Sequence, residues 1–285
     1  MKLLLPILFF LLIVLNQAPG QNQEQVQNSN VLKKLKSEAS YLTQKQRIAE
    51  KYSSVKPGRW GEFVKGVCEN LKTDRKVIAF TFDACGGEKG TGYDKELIDF
   101  LRKEKIPATL FVTGRWIDSH YSEFLNLAYD TLFEIENHGL NHRPCSVSGQ
   151  SAYGIQGTAN PGEAFDEVEG NARKIEAITG HLPHFYRSST AFIDEAGARL
   201  VRDLGITPVS YQVLSGDASP AVSQNTIAAN VLRTIRPGAI VIMHMNHPQW
   251  NTFEALQKIV PELRRMGYGF AHLNQYPLTD RNGNT

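Results

Sequence analysis

Long apolar runs are scarce in this 285-residue chain, and cysteine is scarcer. The one extended apolar run, Leu3 to Leu15, is too short to span a bilayer comfortably. It follows Met1-Lys2 and precedes the small residues Ala18-Pro19-Gly20, which is the layout of a signal peptide. Residues 1–20 are therefore read as an export signal, with an uncleaved anchor as the alternative. The working compartment is then secreted, periplasmic or cell envelope. There are three cysteines, Cys68, Cys85 and Cys145, and an odd number leaves at least one thiol free or bridged between molecules. No CxxC pair suggests a zinc knuckle. A formal charge of +2 gives no field for nucleic acid or an anionic membrane. No GxGxxG follows a strand and no GxxxxGK[ST] occurs, which excludes the usual nucleotide-cofactor sites. Nothing in the sequence sets an oligomeric state.

What is present begins with a 41% apolar composition, enough for a proper core. Residues 21–57 read as a polar tether (QNQEQVQNSN) followed by Val31 to Tyr52, where Leu32, Leu35, Leu42 and Ile48 stand among lysines and glutamines. That second part is either a helical stalk or a helix packed on the domain, and Pro57-Gly58 ends it. Residues 58–285 form the main domain. From Lys76 apolar strand patterns alternate with helical ones. KVIAFTF, ATLFVTG, TLFEIENH, HFYRSS, TPVSYQV, AIVIMH and FAHL read as strands. Tyr93 to Lys105, Pro161 to Thr179, Asp194 to Leu204, Gln224 to Ile235 and Phe253 to Met266 read as helices. Such alternation predicts an α/β fold with a parallel sheet, barrelled or doubly wound.

In parallel sheets, functional residues collect where strands end. Here those ends carry Asp83, then His138 with His142, then Arg187, Asp217 and His244. Each alone has an ordinary explanation: a turn or cap for Asp83 and Asp217, a surface cation for Arg187, a core imidazole for His244. Five ends bearing such groups together are harder to dismiss. His138 and His142 stand four apart, a spacing that on a helical turn would let both hold one ion.

In this order, TFDA, NHGLNH, FYRSS, SGDAS and IVIMHMN resemble the five motifs of the polysaccharide deacetylase family, the NodB-homology carbohydrate esterases of family 4. The resemblance runs from about Lys76 to Leu273. It implies a distorted (β/α) barrel of about seven parallel strands and removal of acetyl groups from an N- or O-acetylated glycan such as peptidoglycan. It also implies a divalent metal, zinc first, cobalt or nickel as alternatives, held by His138 and His142. Asp83 would be the general base, His244 the general acid, Arg187 the partner of Asp83, and Asp217 the partner of His244. Tyr186 and Ser188 would face the sugar. The residue types suit the task, because an amide carbonyl needs a Lewis acid, a base for the water and an acid for the leaving nitrogen.

The sequence departs from the family pattern at ligand and sugar-facing positions. Where the family has a second, metal-binding aspartate, this chain has Ala84. The replacement ligand would be Asp83 itself, Asn141, Glu88, His247 or, less usually for this chemistry, Cys85. Gly139 stands where a hydroxyl residue is usual, Ser188-Ser189-Thr190 where proline and tyrosine are, and Ala218 where a tryptophan is. A Cys85–Cys145 disulfide bracing the site is a further expectation. Two rival readings follow from the departures: a hydrolase of another non-peptide C–N bond, and a non-catalytic glycan-binding domain.

Overall fold

The computed structural model describes residues 38–88 and 90–284. The expected export signal and the polar tether lie outside those residues. At the centre runs β1 (Val77–Ala84), whose residues are almost all buried on both faces. That burial explains why Val77 to Phe82 are mostly β-branched and aromatic, as in parallel sheets covered on both sides. Around it lie β2 (Ala108–Val112), β3 (Phe133–Asn137), β4 (Phe185–Tyr186), β5 (Thr207–Pro208), β6 (Val213–Leu214) and β7 (Ile240–His244). Their order across the sheet is β5-β4-β3-β2-β1-β7-β6, and every neighbour is parallel. A short β8 (Gly269–Phe270) pairs with the first residues of β1, ahead of the start of β2. The sheet curls, because both of its edge strands come from one stretch, residues 207–214. The expected distorted barrel of seven parallel strands is what the chain forms.

The pleat sorts side chains to two sides. Ile78, Phe80, Phe82 and Ala84 of β1 join the outer core beneath the helices, together with Val241 and Met243 of β7. Ala79 of β1, Phe111 of β2, and Ile240 and Ile242 of β7 form a separate inner core. By the same alternation Thr81, Asp83 and His244 belong to the inner side.

Among the described residues, eight helices surround the sheet, the first of them packed on the fifth and sixth: α1 (Ala39–Tyr52), α2 (Lys95–Lys103), α3 (Gly114–Ser119), α4 (Tyr121–Ala128), α5 (Pro161–Thr179), α6 (Glu195–Asp203), α7 (Gln224–Thr234) and α8 (Thr252–Arg265). The longest, α5, starts at an Asn160 cap that accepts from the Glu163 amide and stops at Gly180, φ 77°. Helices α3 and α4 were not expected from the sequence. They have six and eight residues and are split at His120, so neither fills the window of about 11 residues over which a helical pattern is read. TPVSYQV, expected as one strand, is two: Val209 to Gln212 leave β5 and cross to β6 on the opposite edge. Val209 bridges Cys68 on the way, and the Gln212 amide donates to the Ile240 carbonyl.

Of the two readings for Val31 to Tyr52, the structure shows the packed helix over Ala39–Tyr52, and residues 31–37 lie outside the described ones. Tyr41, Ile48 and Tyr52 of α1 are buried. The Tyr41 hydroxyl donates to Asp166 of α5 and the Tyr52 hydroxyl to Asp203 of α6, both at 2.6 Å. Ile48→Ala should therefore cost about 2–4 kcal/mol in urea unfolding, whereas Leu42→Ala on the exposed face should stay within about 0.5 kcal/mol.

Candidate active site

At the C-terminal rim of the sheet, Asp83 ends β1 and His244 ends β7, and the two are register partners on adjacent strands. Arg187 follows β4 and reaches inward across the barrel. Its Nη1 donates to Asp83 Oδ1 and Thr81 Oγ1, each at 2.8 Å, and its Nη2 to the Ser210 carbonyl at 2.8 Å. The guanidinium also lies 4.2 Å above the Phe111 ring. Arg187 is fully buried. Burial works against a charged Asp83, but the guanidinium beside it prevails and holds the carboxyl below its ordinary range.

Asp217 supports His244 on the other side. Its Oδ2 accepts from the His244 amide at 2.7 Å and its Oδ1 from His244 Nδ1 at 3.0 Å. The Ser215 and Thr252 hydroxyls complete the carboxylate's shell. The His244 tautomer is thereby fixed, with Nε2 as the working atom. Burial would lower the His244 pKa, yet the Asp217 charge and hydrogen bond, aided by Asp83, raise it above the ordinary value.

His138 and His142 do not lie on a helical turn, as their spacing had suggested. They sit in a loop with Gly139 at φ 89° and His142 at φ 57°, which brings the rings edge to face at 5.2 Å. A Cβ on Gly139 would lie 2.5 Å from Glu167 Oε1, so the departure at that position is required by space as well as by φ. Glu167 pins the loop, accepting from the Asn141 and Arg143 amides at 3.0 Å on either side of His142. Burial raises the Glu167 carboxyl to about 7 against those hydrogen bonds. His138 Nδ1 donates to the Arg187 carbonyl at 2.9 Å, leaving Nε2 bare. Burial lowers the pKa of both imidazoles, His142 most, so both are neutral near pH 7.

Residues 70–209 match the family model for polysaccharide deacetylase. The chain belongs to the polysaccharide deacetylase family. It is 27% identical over 209 residues to the peptidoglycan-N-acetylglucosamine deacetylase of Bacillus cereus, covering 72% of this chain and 90% of that protein. Its fold is that of a family 4 carbohydrate esterase pseudoenzyme from Bacillus anthracis (TM-score 0.60, 22% identity, 73% of this chain and 67% of that one). It is also that of a family 4 acetyl xylan esterase from Clostridium thermocellum solved with a cobalt ion (TM-score 0.56, 24% identity, 70% and 89%).

The five strand-end positions of this deacetylase-family chain thus converge on one rim, and three other expectations are corrected. Tyr186 does not face a sugar. It alternates with inward-pointing Arg187, so its ring is buried in a third apolar cluster with Cys145 and Phe165, beneath α1, α5 and α6. Ser188 is buried too, its hydroxyl spent on the Phe192 carbonyl and the Cys145 amide. The Cys85–Cys145 disulfide is not formed, since all three cysteines are free. Cys85 faces His138, whereas Cys145 packs with Phe165 and Tyr186 near α6.

A divalent ion fits the donors that do converge. The ligand atoms of His138, His142 and Cys85 lie within 4.8 Å of one another. Asp83 is outside that trio: one oxygen is engaged by Arg187 and the other stands 3.7 Å from His138 Nε2. Asn141 and Glu88 are exposed, and His247 stacks on Trp250 at 3.5 Å. Sequence reasoning missed Trp250, which presents its edge 6.1 Å from His244 where Ala218 offers no ring. It missed Arg115 as well, which lines the cleft with His142, His247 and the Gly86-Gly87 turn. Neither residue lies in a motif, so only the three-dimensional arrangement identifies them.

Arg187→Met should destabilise the fold by about 3–5 kcal/mol, because it strands the buried Asp83 carboxylate. A denaturant midpoint comparison checks this. Pairing the change with Asp83→Asn should recover most of that loss.

Proposed function

We propose that this protein is a metal-assisted deacetylase of an N-acetylated polysaccharide, with peptidoglycan foremost, acting at or beyond the cell envelope. The observation that carries the reading is the side-by-side pairing of Asp83 and His244. Against the opposing effect of burial, Arg187 lowers the pKa of the first and Asp217 raises that of the second. Two neighbouring groups whose pKa values are pushed apart, one toward a base and one toward an acid, are what amide hydrolysis requires.

His138 and His142 would hold a divalent ion, which would supply Lewis-acid polarisation for the acetyl carbonyl and the attacking water. The chain's own groups do the rest. Asp83 takes the proton of the attacking water, and Arg187 keeps that carboxylate anionic in a buried place. His244 delivers a proton from Nε2 to the departing nitrogen, and Asp217 offsets the imidazolium charge until then. Arg115 and Trp250 border the cleft where a sugar would lie. Relatives named for peptidoglycan and chitooligosaccharide deacetylation support this substrate class.

The non-catalytic alternative has one observation in its favour, the loss of a carboxylate at Ala84, and a pseudoenzyme shares the fold. Acetate release from peptidoglycan and from N-acetylated chitooligosaccharides decides between them. On the proposed reading, Asp83→Asn and His244→Ala each lower kcat/KM by about 10²–10⁴. Equal background rates for wild type and both variants would support the binding-domain reading. Acid catalysis by His244 persists only below its raised pKa, so activity falls as pH climbs through that value. Asp217→Asn removes the charge that raises it. The alkaline limb of the rate profile should therefore move to lower pH, as read from kcat/KM against pH.

A further inference from the structure

We propose that Cys85 is the third protein ligand of the divalent ion, its thiolate taking the place of the carboxylate absent at Ala84. The inference rests on the metal-assisted reading only for the presence of the ion.

The donor distances carry the first part of the case. Ala84 is fully buried and offers no donor atom. The sulfur of the next residue, Cys85, lies 3.9 Å from His138 Nε2, the ring nitrogen left unprotonated by the bond from Nδ1 to the Arg187 carbonyl. It also lies within 4.8 Å of a ring nitrogen of His142. For tetrahedral zinc, bonds of about 2.3 Å to sulfur and about 2.0–2.1 Å to nitrogen imply an S···N separation near about 3.6 Å. The observed spacing is a few tenths of an ångström wider than that.

The backbone fixes Cys85 in this position. Its carbonyl accepts from Thr113 Oγ1 at 2.8 Å and from Arg115 Nε at 3.1 Å. The next amide, Gly86, donates to the Gly90 carbonyl at 2.9 Å. Gly86 and Gly87 both take left-handed φ, and a Cβ on Gly86 would lie 2.8 Å from the Trp116 amide nitrogen. The turn that presents the sulfur is thus held from both sides. No sulfur competes for it, because Cys68 and Cys145 are buried elsewhere in the fold. On binding, the S–H bond breaks, the sulfur pair goes to the ion and the proton leaves to solvent. A Cys-His-His donor set favours zinc or cobalt over magnesium or calcium.

Cobalt(II) titration of the full chain, with no glycan present, tests the assignment. Wild type should take up one ion and develop a near-ultraviolet sulfur-to-cobalt charge-transfer band. Cys85→Ser should lose that band and bind at least about tenfold more weakly, the lower end of the cost of removing even an outer partner. A Cys68→Ala/Cys145→Ala double variant should keep the band, which assigns it to Cys85 even if the serine variant does not fold. Cobalt uptake by wild type without the band overturns the cysteine ligand and leaves the hydrolase reading standing. So does a band that survives in Cys85→Ser. Absence of any cobalt or zinc uptake overturns this ligand and the metal-assisted reading together.

Discussion

The buried pair of Arg187 and Asp83 is the constraint around which this barrel is organised. One guanidinium, fully removed from water, bonds to Thr81 and Asp83 of β1 and to the Ser210 carbonyl, and covers the Phe111 ring of β2. The backbone carbonyl of the same residue accepts from His138. A pair so deeply desolvated is weak evidence for added stability, since its Coulomb gain is spent on leaving water. Its effect is on geometry. Arg187 fixes where four chain segments meet, and it sets the His138 tautomer while keeping the Asp83 charge. Structure and chemistry therefore draw on the same few hydrogen bonds.

The loop between His138 and Arg143 shows a second economy of this kind. A non-glycine residue at positive φ is costly, and His142 pays that cost in a place where backbone strain commonly accompanies function. Glu167 supplies the compensation from α5, accepting the amides on both sides of the strained residue. The two imidazoles are consequently brought together by the fold itself. Long α5 matters here less as a cover for the sheet than as the rigid support from which Glu167 reaches the loop.

Most of the fold was legible in the sequence, for a definite reason. Long strands buried on both faces, such as VIAFTFDA and IVIMH, are predominantly apolar up to the functional residues at their ends, and the helices between them carry caps and period. Legibility failed where elements were too short to show a period, as in α3 and α4. It failed also where one apolar run crossed between sheet edges, as in TPVSYQV. At the rim, the strand-end positions Asp83, His138, Arg187 and His244 were found because chain direction alone places them. Tyr186 and Ser188 were misjudged because motif proximity was weighed without the pleat, which turns Tyr186 to the outside as soon as Arg187 is inside.

The stretch 207–214 has an effect that reaches beyond the cleft. It supplies both edges of the sheet in strands of two residues each, and between them Val209 is bridged to Cys68. A curved sheet finished in this way presents almost no open ladder of unpaired amides and carbonyls. Such ladders are what allow one chain to add to another, edge to edge. The crossing that defeats a simple strand reading is thus also a guard against aggregation.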